Sequence, residues 1–167
     1  MRHIFLLLAA SLALSACGLS PMYVGGAGAP VAQGLAAVDI PVIQGRGGWL
    51  LRNALEARFR AAGKATARYR LDVRLDDSLE ALGVLNDDTI SRERRILRAR
   101  YQLVDLATGS ILLDATAGSD AGIDVVSSEY ATIAAEQKAL ENLALDVADR
   151  MATQVALTLR AGATAKP

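Results

Sequence analysis

Leu97-Arg98-Ala99-Arg100-Tyr101-Gln102-Leu103-Val104-Asp105-Leu106-Ala107-Thr108-Gly109-Ser110-Ile111 sets the architecture. Leu97, Ala99, Tyr101 and Leu103 fall on one side of an extended chain, and Arg98, Arg100 and Gln102 on the other. That period of two marks a strand with one buried and one solvated face. Followed backward, the strand runs from Ile90 to Leu106 and adds Arg94 and Ile96 to the outer side. Ala107-Thr108-Gly109-Ser110 reads as a hairpin turn, so Ile111 to Ala117 returns as its antiparallel partner. The same alternation spans Arg68 to Asp76, with Tyr69, Leu71, Val73 and Leu75 inward. Ser78 to Thr89, which holds Gly83, Asn86, Asp87 and Asp88, reads as a loop, and Gly118 to Asp124 as irregular.

On either side of these three strands the period changes to that of a helix. Leu51, Leu55, Phe59 and Ala62 form one stripe of a helix over Trp49 to Ala62, with Arg52, Glu56 and Arg60 toward water and Gly63 at its end. From about Ser128 to Leu159 the residues Tyr130, Ile133, Ala134, Gln137, Leu140, Ala144, Val147, Met151, Val155 and Leu159 recur at three and four. This predicts one uninterrupted helix of roughly 45 Å, packed on the sheet along the whole stripe and capped by Ser127 or Ser128. A short apolar run from Ala36 to Val42 predicts a first strand. The expected fold is α+β with element order β-α-β-β-β-α, a two-layer sandwich with two helices on one face of a mostly antiparallel four-stranded sheet.

The first seventeen residues are of another kind. Met1-Arg2-His3 is a short positive start, and Ile4 to Leu14 is an apolar run too short for a stable transmembrane helix. Leu14-Ser15-Ala16-Cys17 resembles the bacterial lipoprotein box, in which the cysteine is acylated after the leader is removed. The expected organisation is a leader over 1–16, an acylated Cys17 with a flexible tether over 17–35, one domain over 36–160, and a disordered tail over 161–167. Gly18 rather than Asp after the cysteine implies, by resemblance to other lipoproteins, sorting to the outer membrane with the anchor in its periplasmic leaflet.

Composition excludes several function classes. His3 is the single histidine and Cys17 the single cysteine. Loss of the first to processing and the second to lipid leaves neither imidazole nor thiol for nucleophilic catalysis or the usual zinc sites. No cofactor or metal is expected. Without Arg2 there are 17 basic and 18 acidic residues, which argues against a nucleic-acid ligand. Charge is uneven, with 13 basic and 8 acidic residues from Arg46 to Arg100 and 4 basic and 9 acidic from Tyr101 to Pro167. The first of these regions is the one suited to anions.

Arg92, Arg94, Arg95, Arg98 and Arg100 lie within nine residues. Arg94, Arg98 and Arg100 share the outer face of one strand, with Arg70 and Arg74, and Arg68 beside them, on its neighbour. Guanidinium forks grip phosphates, which makes Arg94, Arg98, Arg100, Arg70 and Arg74 the candidate ligand-binding set. The alternative is a solvated face balanced by Asp72, Asp76 and Glu93. Gly45-Arg46-Gly47-Gly48 offers backbone N–H groups but lacks a P-loop ending, and reads better as a strand-to-helix turn. Asp76-Asp77 and Asp87-Asp88 read as loop acids, because adjacent strand positions point to opposite faces.

Cys17-Gly18-Leu19-Ser20-Pro21-Met22-Tyr23 resembles the Cys-Gly-Phe-x-Pro-Leu-Tyr opening of the lipopolysaccharide-assembly lipoprotein family LptE. The hairpin from Arg98 to Gly109, and Ser128-Glu129-Tyr130-Ala131-Thr132-Ile133-Ala134-Ala135-Glu136 at the start of the last helix, are similar to the second half of that family. The resemblance implies a non-enzymatic outer-membrane lipoprotein that plugs the lumen of the barrel protein LptD, helps it assemble, and assists in placing lipopolysaccharide in the outer leaflet. With lipopolysaccharide as ligand, the arginine face would meet lipid A phosphates. Two other readings stand beside it: an auxiliary lipoprotein of a phospholipid or ABC-type transport system, and a carboxylate-only periplasmic hydrolase of glycans.

Overall fold

The structure, a computed structural model, describes residues 30–61, 63, 65–84 and 90–164. Its elements are α1 (Pro30–Ala36), β1 (Val38–Asp39), α2 (Gly45–Arg60), β2 (Tyr69–Val84), β3 (Ile90–Asp105), β4 (Ile111–Asp124) and α3 (Glu129–Thr164). The sheet order is β1-β2-β3-β4, parallel between β1 and β2 and antiparallel elsewhere. This is the α+β sandwich expected, with a mixed sheet and with three helices rather than two.

The extra helix replaces the last part of the expected tether. Pro30 pre-sets the backbone of a first turn, and Val31 and Leu35, four residues apart, bury one face. Gly34 lets this helix approach α3, since a Cβ there would stand 3.2 Å from Leu159. Ala36 therefore belongs to a helix, and the first strand shrinks from Ala36–Val42 to Val38–Asp39. The carbonyl of Ala37 accepts the N–H groups of both Arg68 and Tyr69, which fixes that short parallel pairing. Cys17 and the rest of the tether lie outside the described residues.

α2 begins earlier than expected, at Gly45. Gly47 and Gly48 form its buried first turn, and a Cβ on Gly48 would sit 2.6 Å from the carbonyl oxygen of Ile43. Bare backbone is what permits that approach, so the Gly45–Gly48 turn is a packing device. Leu51, Leu55 and Phe59 are buried as the stripe predicts. Glu56 lies between Arg52 and Arg60 and pairs with both. Arg58 donates to Asp149 and to the Leu145 carbonyl, tying α2 to α3.

The strands outrun their apolar patterns. β2 continues through the expected loop as far as Val84, and β4 through the expected irregular segment to Asp124. Both extensions pair with β3, from Ser78 opposite Ile96 up to Val84 opposite Ile90, and from Gly118 opposite Arg98 up to Asp124 opposite Arg92. A sixteen-residue strand such as β2 is about 50 Å long. Asp87 and Asp88 fall outside the described residues.

Ser128 is the N-cap of α3, its Oγ accepting the Ala131 N–H at 3.4 Å. The helix runs on to Thr164, into the expected tail, because Leu159 still packs against α1. Its stripe is core only from Ala139 onward. Leu140, Ala144, Val147, Met151, Val155 and Leu159 are buried, whereas Tyr130 and Ile133 are 84% and 43% exposed and Ala134 and Gln137 are exposed too. The expected packing of those first turns on the sheet is corrected accordingly: Leu79, the inner-face residue of β2 at that height, is itself 44% exposed. The main core joins Leu35, Leu51, Leu55, Leu71, Leu97, Tyr101, Leu103, Met151 and Val155, each fully or almost fully buried. Each such aliphatic or aromatic side chain contributes about 1.5–3 kcal/mol through burial.

Candidate anion-binding face of the sheet

Alternation sends Leu97, Ala99, Tyr101 and Leu103 inward, each no more than 1% exposed, so their neighbours on β3 must face away from the helices. Along that outer side β3 presents Arg92, Arg94, Ile96, Arg98, Arg100 and Gln102. Beside them β4 presents Asp114, Asp120 and Asp124, and β2 presents Arg70, Asp72, Arg74, Asp76 and Glu80. The charged residues on β3 are all basic and those on β4 all acidic.

The five candidate arginines do not have equal standing on this face. Arg94 donates to Asp120 at 3.0 Å, and Arg100 reaches both oxygens of Asp114 at 3.2 and 3.3 Å. Arg70 forks onto Asp72 two residues along its own strand. These hydrogen bonds hold the guanidinium groups of Arg70, Arg94 and Arg100 more firmly protonated than usual. Conversely, Arg100 and then Gln102 keep the Asp114 carboxyl below its ordinary range. Arg74 and Arg98 have no such partner among the described residues. Arg74 is registered opposite Arg100, while Arg98 is two positions along from Arg100 and opposite Asp76. The sheet thus brings Arg74, Arg98 and Arg100 together, Arg100 already paired with Asp114, while Arg70 and Arg94, also paired, are set apart along the strands.

A cleft of about 500 Å³ adjoins Arg74 and Arg100, though not Arg98, where the segment 41–43 passes β2. Its lining includes Pro41, Val42, Asp72, Arg74, Arg100 and Gln102. Like charges directly opposite, as Arg74 and Arg100 are, repel one another, and an anion between them relieves that repulsion. A phosphate oxygen pair matches the guanidinium fork in shape and charge.

Arg95 is separate from this set. It shares the parity of Leu97 and so faces the helices, donating to both oxygens of Asp77 at 2.9 and 2.8 Å and to the Glu136 carbonyl at 3.3 Å. Strand parity alone separates it from its four neighbours. The same parity places Asp76 outside and Asp77 inside, so the two carboxylates do not share a site. Among the described residues, no group of three or more His, Cys, Asp or Glu side chains is arranged to hold a metal ion.

The family model for lipopolysaccharide assembly, LptE, matches residues 35–155. The chain belongs to this family. Solved structures share the fold. A protein of Caulobacter crescentus CB15 described as a lipoprotein is 25% identical, with a TM-score of 0.65 over 78% of this chain and 96% of that one. Rare lipoprotein B of Shewanella oneidensis shares the fold at 9% identity, with a TM-score of 0.61 over 77% and 97% of the two chains. Lipoprotein B of Nitrosomonas europaea does so at 14% identity, with a TM-score of 0.59 over 75% and 83%. None of the curated proteins matches the chain. In this LptE-family chain the matched span contains the strands that carry the arginine face, and a role in lipopolysaccharide assembly follows from membership.

Proposed function

We propose that this protein is a non-enzymatic lipoprotein of the outer membrane, acylated at Cys17, that occupies the lumen of an LptD-like barrel. There it assists barrel assembly and meets lipopolysaccharide with the Arg74, Arg98 and Arg100 face. Membership of the lipopolysaccharide-assembly family supports the process. The observation that carries the molecular role is the pair of guanidinium groups without a partner among the described residues, Arg74 and Arg98, flanking Arg100 on the solvated face. Lipid A presents phosphates, and bidentate arginine contacts suit them. A charged outer face also suits residence in a polar barrel lumen, where an exposed apolar face would be out of place.

The test compares lipopolysaccharide binding by the full chain and by the Arg74→Ala/Arg98→Ala double variant at several salt concentrations. Loss of two charge-assisted contacts, at about 1.5–3 kcal/mol each, is expected to weaken binding by at least tenfold and to flatten its salt dependence. Unchanged affinity and salt slope in a folded double variant would refute the arginine assignment. The barrel assignment is tested by purification from detergent-solubilised outer membrane, where one large β-barrel protein is expected in equal amount. Recovery of transporter subunits in its place would favour a phospholipid-transport role.

A further inference from the structure

The end of the domain that holds Tyr69, Asp105 and the last turns of α3 gathers features that the arginine face does not use. A cleft of about 750 Å³ opens there between α1, the β3–β4 hairpin and the end of α3, with Pro30, Arg68, Asp105, Leu112 and Leu159 in its lining. The hairpin beside it presents Leu106, Ile111 and Leu112, which are 45%, 55% and 41% exposed. The Arg68 side chain, 63% exposed, lies over the Tyr69 ring at 5.1 Å. Asp105, the acid lining this cleft, is buried: it accepts the Ala107 N–H at 2.8 Å and stands 3.8 Å from Arg68. The outward character of this end is therefore apolar with a basic residue beside it.

The chain also enters the domain here. Pro30 lines the cleft and follows Cys17 by thirteen residues, which span at most about 45 Å when fully extended. At the opposite end, Val126, Tyr130 and Ile133 form a second exposed apolar group, but the length of the strands, about 50 Å, separates the two. An acyl anchor at Cys17 places a bilayer within reach of the first group, beside the point where the chain enters the domain.

We propose that the hairpin end is a lipid-docking surface, with Leu106, Ile111 and Leu112 entering the boundary between headgroups and acyl chains and Arg68 meeting lipid phosphates. Apolar side chains next to a basic residue are the composition that holds a surface element in that boundary. The inference rests on acylation of Cys17, goes beyond it, and concerns the anchored protein before a barrel encloses it. Acylation alone does not set the orientation of the domain, whereas docking fixes which end faces the bilayer and points the α3 N-terminus away from it.

The experiment uses the full acylated chain in vesicles of phosphatidylethanolamine and phosphatidylglycerol that carry a nitroxide on the lipid acyl chain. An environment-sensitive fluorophore is attached through a thiol at Ile111→Cys or, for comparison, at Ile133→Cys. Docking predicts that the probe at 111 loses most of its fluorescence to the nitroxide while the probe at 133 keeps nearly all of it. Equal quenching at both sites, or none at 111, overturns the proposal. The Leu106→Asp/Leu112→Asp variant is expected to abolish quenching at 111 while the anchored protein stays on the vesicles, and retained quenching overturns the proposal as well. The unsubstituted chain separates failure of docking from failure of its premise. An acylated Cys17 has no thiol to label, so labelling of that chain would remove the anchor and the proposal with it.

Discussion

The lower and upper halves of the same sheet are built on different terms. In the lower half, toward Tyr69 and Asp105, the inner-face residues Leu71, Tyr101 and Leu103 are at most 1% exposed beneath the helices. In the upper half, toward Val84 and Asp124, the inner face turns to Asp77, Leu79, Glu93 and Arg95. Leu79 there is 44% exposed, and the buried Glu93 Oε2 has no hydrogen-bond partner among the described residues. Yet the antiparallel ladder crosses from one half to the other with no break in β2. Backbone pairing can thus extend a strand well past the apolar pattern that nucleates it. Apart from Ile123 on β4, which is 3% exposed, the upper half lacks the dense packing of the lower, and it is expected to open at lower free energy.

The sharpest way to break this contrast is to truncate one inner-face leucine in each half. Leu103→Ala removes a fully buried side chain and is expected to cost about 2–5 kcal/mol. Leu79→Ala, on the same face of the neighbouring strand but exposed, should stay within about 1 kcal/mol of the parent. Denaturant midpoints at unchanged slope measure both. Equal costs would mean that the two halves share one core after all.

An intermediate effect is expected at Arg95, the polar substitute for a core in the upper half. Its side chain and that of Asp77 are 17% and 26% exposed, so the pair is neither a surface bridge nor a fully buried one. Arg95→Ala breaks that pair and the bond to the Glu136 carbonyl, for a cost of about 1–2 kcal/mol after allowing for solvent screening. Amide hydrogen exchange should accelerate around Asp77 to Leu82 and Arg92 to Ile96, leaving Leu71 and Leu103 protected. Faster exchange throughout the sheet would show instead that Arg95 supports the whole domain.

The division between the halves also explains what could be read from the residues. The core strands, the Leu51-Leu55-Phe59 stripe and the α3 residues from Leu140 to Leu159 announce themselves because burial imposes a period, and the structure follows it. The upper parts of β2 and β4 carry Gly83, Gly118 and Gly122 among Asp77, Ser78, Glu80, Ser119 and Asp120, which break the apolar alternation. Their extended conformation comes from cross-strand hydrogen bonds, which leave no hydrophobic signature. α1 is too short for periodicity to stand out from the Gly- and Pro-rich residues before it. Tyr130 and Ile133 keep the helical period of α3 but project past the core, so an apolar stripe marks the helix without locating its partner. At the arginine face, parity selects the outward residues correctly. Which of them are neutralised depends on register: Asp114 and Asp120 are fourteen and twenty-six residues away from the arginines they pair with.

The smallest predicted effect has the opposite sign and lies inside the better-packed half. Tyr101 is 1% exposed, its hydroxyl has no protein partner among the described residues, and burial raises its pKa above the ordinary 10.0. A buried hydroxyl without a hydrogen bond is a net cost, so Tyr101→Phe, which keeps the ring, should stabilise the fold by about 1 kcal/mol. A loss of similar size would instead place an ordered water on that hydroxyl, in one of the two clefts that Tyr101 lines. The pH dependence gives a second readout with a fixed sign. Because the folded state holds the phenol proton more tightly, the unfolded chain releases it first. Stability is therefore unaffected by this group below pH 10 and falls as pH rises through the interval between the unfolded and the higher folded pKa. Tyr101→Phe removes that part of the alkaline decline, so its advantage over the parent should widen above pH 10. A constant difference across that range would mean that water already reaches the hydroxyl in the folded protein.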